Sequence, residues 1–133
     1  MNNEFPKEEK FLDFEGKERI FDYLIYELAT GYGYSIRAKE RKDNGYEFQA
    51  ISESNLFNAL GELRQKIRKR LSTRYLQEEH GHFHFYHLEA KGHISSGGAV
   101  IDGKFIAFDQ LSLILQTYEG FLFELKIQDL SEE

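Results

Sequence analysis

Apolar and polar positions change period several times along the chain, and each change marks an element. Leu56, Leu60, Leu63, Ile67 and Leu71 recur at steps of four, three, four and four. Such steps keep side chains on one stripe of a helix. Ser54 or Asn55 can cap this helix, because either side-chain oxygen can accept a free first-turn amide. The pattern predicts a helix to about residue 76, where "QEEHG" ends it. Before the helix the period is two. "FLDFEG" alternates into a turn at Gly16, and "RIFDYLIYELA", rich in aromatic and β-branched residues, reads as a strand although Ile20, Leu24 and Leu28 also fit a helix. "YSIRAKE" and "YEFQAI" flank "DNG" at 43–45, whose residues tolerate positive φ, and form a hairpin. "GYGY" at 31–34 lacks the lysine and following helix of a phosphate loop and reads as a turn.

After the long helix, alternation resumes through "HFHFYHLEAKGHI". Asp102-Gly103 between "AVI" and "KFIAF" is the signature of a two-residue type I′ hairpin. "SSGG" at 95–98 reads as a loop. Asp109 is placed to cap a short helix carrying Leu111, Ile114, Leu115 and Tyr118, with Gly120 at its left-handed end. Phe121, Phe123, Leu125 and Ile127 then face one way, against Glu124, Lys126 and Gln128 with Leu122 the exception on that polar side, and predict a last strand. The predicted order is β-β-β-β-α-β-β-α-β. The expected class is α+β, a mostly antiparallel sheet with one long and one short helix on one face.

At 133 residues the chain has the length of one domain, expected over 1–133 with loose ends at 1–10 and 131–133. It has no cysteine, which excludes disulfides, thiolate metal sites and a cysteine nucleophile. The N-terminus lacks the apolar core of a signal peptide, and no apolar run reaches membrane-spanning length, so a cytoplasmic location without membrane contact is expected. The net charge of −6 disfavours general binding to nucleic acid or anionic membranes.

Three constellations bear on chemistry. All five histidines fall between residues 80 and 93. On a regular strand His80, His82 and His84 share a face with about 6.5–7 Å between alternate residues, so two imidazoles could converge on zinc or another divalent ion. Glu78, Glu79, Glu89 or His93 would have to complete the set, and His87 points away. The competing reading has Phe83 and Phe85 anchoring the strand while the imidazoles stand in water. The second is the basic helical face of Arg64, Lys66, Arg68, Lys69, Arg70 and Arg74, suited to phosphates or to the chain's own carboxylates. The third is Glu119, which opposes the dipole of the short helix and is expected to be held by a backbone amide or an arginine. No serine-histidine-aspartate order or paired-carboxylate spacing stands out, so neither a catalytic residue nor a cofactor is assigned.

The segment "IDGKFIAFDQLSLILQTYEGFLFELKIQDLSEE" resembles a family of uncharacterised bacterial proteins. The shared features are an Asp-Gly turn (Asp102, Gly103), an acidic residue opening a short helix (Asp109), an aromatic-Glu-Gly end (Glu119, Gly120), an apolar strand (Phe121, Phe123) and an Asp-x-Ser-Glu-Glu close (Asp129, Ser131, Glu132, Glu133). "GYEFQAI" and "LRQKIRKRLSTRYL" also look like that family, so the resemblance spans residues 34–133. Phe108 stands where the family often has tryptophan, "LSLIL" replaces its Gly-Arg-Met, and the histidine cluster is not a family feature. The resemblance implies no activity. The expectation is a non-enzymatic regulator or adaptor that binds another protein in preference to a small molecule. The alternatives are a metal-dependent hydrolase or nuclease using His82 and His84, and nucleic-acid contact through the basic helix.

Overall fold

A computed structural model describes residues 5–133 of the chain. Of the loose end expected at residues 1–10, residues 1–4 lie outside the described residues. The class is α+β, with nine strands and two α-helices among the described residues and every strand pairing antiparallel. Length set the expectation of one domain; the chain's contacts group into two compact units. The first holds residues up to Asp43, Glu47–Thr73 and Asp129–Glu133, and the second holds Asn44–Tyr46 and Arg74–Gln128.

In the first unit, β1 (Glu8–Leu12), β2 (Glu18–Glu27), β3 (Tyr34–Glu40) and β4 (Glu47–Ser52) form a meander in chain order. Strand β1 therefore begins inside the stretch expected to be loose. Residues 18–27 are strand, as their aromatic and β-branched content predicts. Helix α1 (Leu56–Leu71) covers one face of the sheet. Ala59, Leu60, Leu63, Ile67 and Leu71 are buried on it, and the sheet supplies Phe11, Phe21, Tyr23, Ile36, Ala38, Phe48 and Ala50. Asn55 Oδ1 accepts the Asn58 amide at 2.8 Å and caps the helix. The "GYGY" stretch is the β2–β3 turn, with Gly31 and Gly33 at positive φ.

A charged group also lies inside this unit. Arg19 bridges Asp13 (Nε to Oδ2, 3.0 Å) and Glu40 (Nη1 to Oε2, 2.9 Å), and all three side chains are buried. Asp13 Oδ1 also accepts the amides of Glu15 and Lys17. Burial pushes the Asp13 carboxyl upward, but the two amides and the Arg19 guanidinium outweigh it and hold the group below its ordinary range.

In the second unit, β5 (Leu76–Glu79) pairs with β6 (His82–Phe85). A separate three-stranded sheet holds β7 (Gly92–Ser95), β8 (Gly98–Ile101) and β9 (Lys104–Ala107), followed by α2 (Phe108–Gln116). Tyr75, Leu76, Ile101, Ile106 and Ile114 make the core, with Phe83, Phe85, Leu111 and Tyr118 packed on it. "SSGG" is a hairpin turn leading into β8. A Cβ on Gly98 would lie 2.3 Å from the Ile106 carbonyl oxygen, so β8 can start there only without a side chain.

The sequence readings differ from this structure in several places. Helix α1 stops at Leu71, short of residue 76. The reason is remote in sequence: the buried Asp102 carboxylate accepts the amides of Tyr75 (3.0 Å) and Leu76 (2.7 Å). Ala107, not Asp109, is the N-cap of α2, and Gln110 Oε1 accepts the Ala107 amide at 3.1 Å. The run 82–93 is two strands separated by turn and loop rather than one. Among the described residues no strand follows α2: residues 121–128 join no ladder and form no regular element. The end of the chain, expected to be loose, forms a short 3-10 turn over Leu130–Glu132 that Asp129 caps.

Candidate functional site

His80 and Gly81, both at positive φ, form the tight turn between β5 and β6. His80 therefore does not share a strand face with His82 and His84. The register sets Glu79 opposite His82 and Gln77 opposite His84, so these four side chains lie on one face of the hairpin. Leu76, Phe83 and Phe85 take the other face, towards the core. His82, His84 and Glu79 border a concavity of about 520 Å³ whose far side is Gln110, Leu113 and Thr117 of α2 and the turn after it. Among the described residues, no three His, Cys, Asp or Glu side chains come together in a way that could hold a metal ion. His87 lies in the turn after β6, its ring against Tyr86, and His93 is on β7 opposite Val100.

Most of the basic face is engaged by its own unit. Arg64 clasps Glu9 through two hydrogen bonds of 2.7 Å, and the Tyr23 hydroxyl donates to the same carboxylate at 2.6 Å. Burial raises the Glu9 carboxyl, but Arg64 and Tyr23 lower it further, and the net direction is down. Lys66 Nζ donates to the carbonyls of Gln49 (2.8 Å) and Ser131 (2.9 Å). Arg68 lies over the Phe11 ring, and Arg70 pairs with Glu133 and lies over Phe48. Lys69 is exposed. Arg74, in the second unit, donates to the Leu76 carbonyl at 2.8 Å and lies over Tyr86. This stripe ties its helix to β1, β4 and the final turn, so it has a structural use that needs no phosphate.

The surface that stands out lies on the second unit. Helix α2 carries five apolar residues in nine, but only Ile114 is buried, and Phe108, Leu113 and Leu115 are exposed. The segment after it exposes Phe121 (60%), Leu122 (102%), Phe123 (87%), Leu125 (78%) and Ile127 (71%). Its near end is fixed: Phe121 packs edge-on against Tyr118, which stacks on Phe85 and whose hydroxyl oxygen accepts the Phe85 amide at 3.0 Å. Glu119 lies beside Phe108, Leu111 and Leu115 and is exposed, and among the described residues no amide or arginine holds it, contrary to expectation. The alternation of residues 121–127 was visible in the sequence. Its lack of a neighbouring strand was not.

A family model described as Domain of unknown function (DUF7686) matches residues 3–72, just over half of the chain. A second, Domain of unknown function (DUF7713), matches residues 75–132. The gap between the two falls where the chain passes from the first compact unit into the second. No curated protein and no solved structure matches the chain.

Proposed function

As the chain belongs to the family described as Domain of unknown function (DUF7686), we propose a role read from its surface: it is a small non-enzymatic regulator or adaptor that binds another protein chain. The observation that carries this reading is the exposed apolar area of the second unit. Large contiguous apolar patches on a folded chain mark sites of protein association. Each such side chain left in water forgoes about 1.5–3 kcal/mol that burial would return. The net charge of −6 suits a partner with basic residues around an apolar centre. A cytoplasmic setting belongs to the same proposal. Among the described residues, no helix is long and apolar enough to cross a membrane.

The test compares tagged wild-type chain with Leu113→Glu/Leu115→Glu in quantitative pull-downs from the source organism. Both side chains are exposed, so the variant is expected to keep its fold, checked by circular dichroism. A partner retained by the wild type and lost with the variant is the expected result. Identical recoveries from both chains would overturn the reading.

A further inference from the structure

Residues 122–128 carry the side-chain alternation of a strand, with Leu122 the exception on the polar side, yet they belong to no strand, helix or turn among the described residues. Every residue from Phe121 to Asp129 is exposed. An amphipathic strand without a ladder leaves its amides and carbonyls open along both edges. We infer that this segment pairs antiparallel with the same segment of a second copy, about a two-fold axis at Leu125. The inference rests on the proposed role in protein binding and names one partner for it.

The segment's own order of residues selects both the partner and the register. In an antiparallel pair, directly opposed residues share a face. With Leu125 opposite itself, Glu124 faces Lys126 of the other copy, and the symmetry repeats this pair. Phe123 faces Ile127, also twice, and Leu122 faces Gln128. A shift of the axis to Lys126 or Glu124 would oppose two like charges. A half-step shift would put the apolar face of one copy against the polar face of the other. Of the neighbouring registers, only the Leu125 axis satisfies both charge and face. The contact is isologous, so it closes as a dimer and does not propagate.

The area is adequate. At about 200 Å² per aromatic side chain and slightly less per aliphatic one, Phe121, Phe123, Leu125 and Ile127 expose on the order of 600 Å² per copy. Two copies present one continuous apolar face of roughly 1,200 Å², the lower bound of a standard specific interface once that face is covered. A two-stranded ribbon is marginal by itself and needs an apolar cover. Phe108, Leu113 and Leu115 of the same unit are exposed apolar side chains that can provide one.

The chain has no cysteine, which makes a cross-linking test clean. Residues opposed across an antiparallel pair have Cα atoms about 4.5–5.5 Å apart, within disulfide reach. Full-length Leu125→Cys is expected to form a covalent dimer under mild oxidation, and Glu124→Cys, offset by two residues from its symmetry mate, is expected to stay reduced. Light scattering after size exclusion should show a wild-type dimer that dissociates on dilution. Glu124→Lys should weaken it by roughly tenfold, and Glu124→Lys/Lys126→Glu should restore it. A wild type that stays monomeric at about 200 μM, or equal cross-linking by both cysteine variants, would overturn the inference. A monomer that still captures a different partner through Leu113 and Leu115 would overturn the inference alone and leave the proposed role standing. A strand-paired dimer whose Leu113→Glu/Leu115→Glu variant recovers the same proteins as wild type would do the reverse for any partner other than a second copy.

Discussion

Replacing Asp102 with alanine should destabilise the second unit through two separable effects. The Asp102 residue is 3% exposed and sits in a hairpin turn at φ +55°. Its carboxylate accepts two amides, from Tyr75 and Leu76, both buried residues. Alanine leaves both donors without an acceptor, at about 1–3 kcal/mol each. Alanine also tolerates the left-handed conformation less well than aspartate, which adds about 1 kcal/mol. The expected loss is therefore roughly 3–7 kcal/mol, a large fraction of the stability of an ordinary small domain. Asp102→Asn keeps one carbonyl oxygen and the conformational tolerance, so about 1 kcal/mol is expected. Asp102→Gly keeps only the backbone freedom and should fall between the two. Urea unfolding followed by circular dichroism gives the ranking, and native-state hydrogen exchange at Tyr75 and Leu76 gives the cause. Equal stability of the alanine and asparagine variants, or unchanged protection of the two amides in Asp102→Ala, would refute this account.

Arg19→Met removes the cation between two buried carboxylates and should cost the first unit about 3–5 kcal/mol in urea, with much of it recovered in Arg19→Met/Asp13→Asn/Glu40→Gln; a loss that the triple variant does not recover would count against the account. The two units should respond to acid with opposite signs. Asp13 and Glu9 titrate below their ordinary range, so their contribution to the first unit is present above it and is lost as pH falls below about 4. Burial raises the Asp102 carboxyl, with the Leu76 and Tyr75 amides opposing, so its cost to the second unit is present at neutral pH and is relieved as pH falls through the folded value. Residue-resolved exchange at pH 7 and pH 4 should show relative loosening around β1 and not around Tyr75–Leu76; uniform loosening would contradict this. Untagged protein dialysed against zinc should retain less than one ion per chain, unchanged by His82→Ala/His84→Ala in elemental analysis; one ion per chain, lost on substitution, would show that the hairpin completes a site.

The sequence by itself determined the local elements. Leucine spacing specified α1, Ser54 or Asn55 its start, and Asp102-Gly103 a hairpin turn of two positive-φ residues, because each depends on neighbours within a few positions. Alternation specified β3 and β4 for the same reason, and aromatic and β-branched content pointed to β2, whereas β1 begins earlier than its alternation suggested. The tertiary structure decided what required distant partners. It ended α1 early, because the acceptor for the Tyr75 and Leu76 amides lies some 26 residues further on. It engaged the basic face, because Glu9 and Glu133 lie at opposite ends of the chain from each other and are brought to one helix. It moved His80 out of the histidine row, because the register of a short hairpin fixes which residues form its turn. Above all, it separated pattern from pairing in "FLFELKI". Alternation shows that a segment can be a strand, but a strand is completed only by a neighbour's hydrogen bonds, and here the described chain provides none.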